Sequence, residues 1–248
     1  MDRPRVARAF VVVMAWAIAI ACAASSASAA EPVRAFASTA PSAPVRTPTR
    51  SLLVHVPRPL AIFARPDGAR AIGTMPAASR FYRVPTVAWI QRVSADGRFG
   101  RVSVPYVAAP RTGWMRIARL RTSWTGVRVV ADLSLHRIVV RRGTAVLFRA
   151  PAATGAAVSP TPPGRYFVTD RIPFPGGGSF GTFAFGISGI QPHLPPGWTG
   201  GDQLAIHGTN APWSIGRSAS AGCLRVSEHV LARLRPLLRL GTPVIVRG

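Results

Sequence analysis

Turn residues interrupt this chain so often between residues 52 and 120 that only short strands fit between them. Runs such as LLVHV, LAIF, TVAWIQRV and RTGWMRIARL are rich in β-branched, aromatic and aliphatic residues, the side chains that pack well on a pleated surface. Pro66-Asp67-Gly68 and Asp96-Gly97 punctuate them, since Pro presets the first turn angle and Gly accepts positive φ. Strands at this spacing predict a small β-barrel. Trp89 and Trp114 fall inside it; a tryptophan in so small a fold is read as core, with a ligand groove as the alternative.

The rest of the chain also reads mainly as β. Val127, Val129 and Ala131 alternate with Arg128, Val130 and Asp132, and further strands are expected over 136–140 and 145–150, separated by Arg142-Gly143. Gly181 to Ile187 has strand character. That leaves a loop from Gln191 to Gln203, long for a compact domain unless it binds or covers something. It is read as a flap over an active site, with an inert insertion as the alternative. Ser227 can cap one short helix from Glu228 to about Arg235, with Val230, Leu231 and Leu234 facing inward. Pro236 breaks that helix, and GTPVIVRG makes a closing strand.

The chain has 248 residues, 48% of them hydrophobic, enough to bury a core in one or two domains. Residues 1–29 have a basic start, an apolar centre and a small-residue exit, the layout of a secretory leader cut after Ala29. A retained membrane anchor is the alternative, although the apolar run is short for a span. Residues 30–50 are mostly Ala, Pro, Ser, Thr and Arg without apolar period and read as a disordered linker. The net charge is +23 and every one of the 31 basic residues is arginine, a field that attracts polyanions. An exported protein meets anionic wall polymers and lipid headgroups before nucleic acid, so no specific nucleic-acid partner is expected; a merely soluble surface is the alternative.

Only two cysteines occur, and cleavage of the leader removes Cys22. A single thiol left in an exported protein either pairs with another chain or reacts. Cys223 lies in a glycine-flanked turn downstream of His207, and a thiol needs a partner such as imidazole to act as an acyl-transfer nucleophile at neutral pH. Ala205-Ile206 lead His207 out of a strand and Gly208 lets the backbone turn behind it. The Ala221-Gly222-Cys223 turn offers backbone N–H groups, that of Gly222 among them, to a tetrahedral oxyanion. Ser220 is placed to hold the turn, with a solvated serine as the alternative. His55, His136, His193 and His229 show no metal-ligand spacing with one another or with Cys223. Phosphate loops and paired-carboxylate sites are not seen either, so neither metal nor cofactor is expected.

The segment IHGTNAPWSIGRSASAGCLRV, residues 206–226, resembles the catalytic motif of the L,D-transpeptidases, the YkuD-like enzymes that cross-link bacterial peptidoglycan through a cysteine nucleophile. VADLSLHRIVVRRG is similar to that family's opening hairpin, and TPPGRYFV to its TPxGxFxI element. GWMRIARL resembles the closing strand of a bacterial SH3-like module. The resemblances imply a mainly β protein: an SH3-like β-barrel over 51–122, then a YkuD-like β-sandwich over 123–248 with one short helix. They imply that His207 pairs with Cys223, that the Gly208 carbonyl orients the imidazole, and that peptidoglycan stem peptides are the substrate. Arg225 matches the arginine of the family pattern SHGCIR and would clamp a substrate carboxylate, unless it is one more surface arginine. The chain departs from that pattern at Ala221, where the family has histidine; with His207 retained, activity is expected to survive. An L,D-carboxypeptidase and a noncatalytic wall-binding protein are the competing functions. Oligomeric state is not readable. Because the nucleophile, base and turn all follow residue 123, the N-terminal module is expected to be dispensable for acylation.

Overall fold

The computed structural model describes residues 49–248. The expected leader and all but the end of the expected linker lie outside the described residues. The short runs of the N-terminal half do become strands, but they divide between two sheets. Val87–Ile90, Ser51–His55 and Thr122–Thr125 form a three-stranded antiparallel sheet. Ala71–Met75, Leu60–Phe63, Thr112–Arg116, Phe99–Ser103 and Arg92–Val93 form a five-stranded one. Pro57 and Pro59 sit between the first strand and the second and have no N–H to extend a ladder, so the chain turns there from one sheet to the other. Among the described residues no closed barrel forms, which corrects the expectation from strand spacing. Trp89 is buried and Trp114 half-buried, in keeping with the core reading for Trp89.

In the C-terminal half, the three strands expected after residue 126 appear as Val127–Asp132, Arg137–Arg142 and Ala145–Pro151. The closing strand Pro243–Arg247 inserts beside them, parallel to Val127–Asp132 and antiparallel to Gly164–Phe167. Val127–Asp132 therefore has a neighbour on each edge. That position explains why almost all its residues are buried in spite of their alternating pattern. A four-stranded sheet of Ile172–Pro173, Phe183–Ile190, Gln203–His207 and Leu224–Arg225 packs against it. The helix Glu228–Leu234 begins where Ser227 Oγ accepts the Val230 N–H, at 3.3 Å, and it buries Val230, Leu231 and Leu234. No helix among the described residues is long and apolar enough to cross a membrane.

The two halves share a core. Phe167, only 1% exposed, packs with Leu53, Ile62, Trp89 and Met115 of the N-terminal half, and Ile245 packs against the same cluster. Ser103 Oγ donates to the Arg165 carbonyl, the Tyr106 N–H donates to the Ser188 carbonyl at 2.8 Å, and Arg80 pairs with Asp202.

Candidate active site

His207 ends the strand Gln203–His207, which runs parallel to Leu224–Arg225 with Ile206 opposite Leu224 and His207 opposite Arg225. Parallel neighbours need a crossover between them, and residues 208–223 are that crossover. The sequence spacing of His207 and Cys223 thus brings the end of one strand beside the entry to the next. The Val226 N–H donates to the His207 carbonyl at 2.9 Å and secures the pairing. His207, Cys223, Ser220, Ala221 and Arg225 line one cavity of about 440 Å³.

His207 is buried, and its Nδ1 lies 2.5 Å from the Gly208 carbonyl. A carbonyl only accepts, so Nδ1 carries the proton and Nε2 is left with its basic lone pair. The Phe180 ring meets the imidazole edge to face at 5.0 Å. Burial lowers the imidazole pKa to about 4; the Gly208 carbonyl acts in the opposite sense, and Arg225 lowers it further.

Cys223 is half-buried, with Sγ 3.9 Å from the Gln203 carbonyl. Burial raises its pKa, against a backbone hydrogen bond at Ala205 and the charge of Arg225, which lower it. Burial thus opposes charge on both partners. That balance favours a thiol and a neutral imidazole in the cavity.

Ser220 holds the turn with two bonds. Its Oγ accepts the Gly222 N–H at 3.1 Å and donates to the Cys223 carbonyl at 2.6 Å. The Gly222 N–H, expected to face an oxyanion, is therefore committed to Ser220. That corrects its assigned role and leaves the Cys223 amide as the turn's donor next to the sulfur. Gly222 itself is required by a φ of +112° and by Gln191, whose Nε2 would lie 2.2 Å from a Cβ there. Arg225 Nη1 reaches the Ala219 carbonyl at 3.4 Å, and its Nε is buried without a partner.

Several residues at the site carried no local signal. Gln191 is buried; its Nε2 donates to the carbonyls of Ser159 and Pro160, and its Oε1 accepts the His193 N–H. It ties the start of the 191–203 loop to the back of the nucleophile turn. Residues 197–200 of that loop line the thiol cavity, consistent with the flap reading and not with an inert insertion. Glu228 accepts from both the amide and the hydroxyl of Thr182 and packs on Gly208. His55 bonds Ser123 and Arg121, and His136 bonds Thr154, all away from the cavity. Among the described residues no three His, Cys, Asp or Glu side chains gather as a metal site.

The family model for the L,D-transpeptidase catalytic domain, YkuD, matches residues 126–246. The C-terminal half is a YkuD domain. The L,D-transpeptidase domain is similar to two proteins called putative L,D-transpeptidase YkuD. The one from Bacillus licheniformis is 32% identical over 96 residues, 39% of this chain and 50% of that protein. The one from Bacillus subtilis is 26% identical over 118 residues, 48% of this chain and 64% of that protein. The chain thus spans about half to under two thirds of the length of these relatives. An L,D-transpeptidase structure from Mycobacterium smegmatis aligns over 79% of this chain and 93% of its own, at 16% identity and a TM-score of 0.41. One from Mycobacterium tuberculosis H37Rv covers 60% and 77%, at 19% identity and the same TM-score, 0.41.

Proposed function

We propose that this protein is an exported L,D-transpeptidase that joins peptidoglycan stem peptides through a thioester on Cys223. As Cys223 Sγ attacks the carbonyl at the L-centre of the third stem residue, His207 Nε2 takes the thiol proton. The Gly208 carbonyl holds Nδ1–H and steadies the imidazolium that forms. The oxyanion meets the Cys223 amide, in a turn kept rigid by Ser220. Collapse breaks the bond to D-alanine, whose nitrogen receives the proton from His207, and leaves the thioester. An amine of a second stem then attacks, His207 takes its proton, and collapse returns that proton to the sulfur.

The reading rests on one observation above all. A single cavity receives the only thiol among the described residues, an imidazole oriented by its own neighbour's carbonyl, and an arginine with no carboxylate partner among those residues. Arg225 fits a stem carboxylate, which it can hold with two parallel hydrogen bonds. The leader pattern and the arginine-only basic charge favour a place at the wall, where anionic polymers are the nearest partners.

The test is incubation with a tetrapeptide stem as donor and a stem amine as acceptor, followed by mass analysis. A cross-linked dimer with one D-alanine released per dimer is expected. Release of D-alanine without dimer would make the enzyme a carboxypeptidase, and neither product would leave a wall-binding protein.

A further inference from the structure

A second cavity, of about 360 Å³, is lined by residues 199–201 and Gln203 of the flap. Phe180, Thr199 and Gly200 line both cavities, so the two share a wall. Its outer wall comes from the N-terminal half, as Phe81 and Tyr82.

The loop that carries these rings is held firmly in place. The Ser79 N–H donates to the Val84 carbonyl at 2.8 Å, and buried Ser79 Oγ accepts the Val84 N–H at 3.0 Å, closing the loop at its base. Next to that base Arg80 Nη1 reaches both carboxylate oxygens of Asp202, each at 2.9 Å, at the end of the flap. The Arg80 guanidinium also sits 5.0 Å from the Phe81 ring centroid. On the flap itself, in the lining of the thiol cavity, Trp198 Nε1 donates to the Gly201 carbonyl at 2.7 Å, which fixes the indole. Despite this fixing the rings face water: Phe81 is 49% exposed, Tyr82 50% and Trp198 39%. Ordered aromatic faces left open beside a cavity mark a binding surface and not a core.

The chemistry of the lining separates the two cavities. The thiol cavity contains Arg225, whereas none of the residues lining the second carries a charge. Arg80, beside Phe81, is already paired with Asp202, so a carboxylate or ammonium there would lose its hydration without a free partner. The occupant must therefore be neutral, with apolar faces to lie on rings and polar edges for Thr199 and the Tyr82 hydroxyl. A pyranose with an N-acetyl group has that character. Resting on the transpeptidase reading, we propose that this cavity holds a neutral N-acetylated sugar of the glycan strand bearing the stem peptide, stacked on Phe81 and Tyr82. The N-terminal half would then set which part of the polymer reaches Cys223.

The test is titration of the full chain with a neutral trimer of β-1,4-linked N-acetylglucosamine, read by calorimetry, alongside intact-mass analysis of the unvaried protein with a carbapenem. Saturable binding is expected, weakened roughly tenfold or more in Phe81→Ala/Tyr82→Ala through loss of two ring contacts. Phe81→Leu/Tyr82→Leu keeps apolar bulk and the loop fold but removes the flat faces, and is expected to lose affinity to a similar degree. Thermal unfolding of each variant checks that it is folded. No binding by the unvaried protein, or equal binding by the folded leucine variant, would overturn the proposal. A carbapenem adduct formed alongside absent sugar binding would sink this inference and leave the transpeptidase reading standing. Sugar binding without an adduct would support the sugar site while removing the reading it serves.

Discussion

Gly181 and Gly208 stand back to back: a Cβ on Gly181 would lie 2.5 Å from the Gly208 Cα, and one on either would lie 2.0 Å from Glu228 Oε1. This close approach fixes the carbonyl that orients His207. Gly181 also has a φ of +65°, where a Cβ is strained whatever the space. Gly181→Ala is expected to cost about 1–3 kcal/mol of stability and to slow acylation more than the loss of stability explains, because the Gly208 carbonyl must move. Thermal melts and acylation rates at a temperature where the variant is folded check this.

Ser220→Ala removes the acceptor of the buried Gly222 N–H and the donor to the Cys223 carbonyl. The expected cost is about 1–3 kcal/mol, with slower acylation and little change in substrate affinity. A kcat/KM loss carried by KM alone would show that the serine only contacts substrate.

Burial sets the pH behaviour of His207. Its pKa of about 4 lies below the ordinary imidazole value of about 6.5. Between those two values the unfolded chain binds a proton that the folded chain refuses. This group's contribution to stability is therefore lost progressively as pH falls from about 6.5 to about 4, and His207→Ala is expected to flatten that loss. The base stays neutral over the same range, so the acid limb of kcat/KM lies near pH 4 and not near 6.5. Melting and acylation measured from pH 4 to 8 test both expectations.

Ala221 lines the thiol cavity beside the turn. Ala221→His adds a hydrogen-bonding group but leaves His207 in place, so a change of about threefold to tenfold in kcat/KM is expected. Activity present only in the histidine variant would mark the natural protein as a wall binder.

The sequence made much of this legible where the signal is local. Alternation revealed the strands after residue 126, Ser227 revealed the helix start, and the His207 to Cys223 spacing marked the crossover between parallel strands. What it hid depends on contacts between distant segments. Alternation says that a run is a strand, not which strand pairs with it, so two open sheets read as a barrel. The Gly222 N–H looked free because the rotamer of Ser220 is not written in the chain. Gln191 and Glu228 act by packing on glycines far away in sequence. Phe167 in the N-terminal core and Arg80 on Asp202 are equally silent. They also alter one expectation: a chain beginning at residue 123 would expose Phe167, and is expected to be unstable instead of freely separable.

The central claim, that Cys223 is a nucleophile served by His207, is tested most directly by intact-mass analysis of the protein after exposure to a carbapenem. The expected result is one adduct per chain, absent in Cys223→Ala and nearly absent in His207→Ala, since the two side chains act as a unit. An adduct that persists in folded Cys223→Ala, or forms at an undiminished rate in His207→Ala, would contradict it.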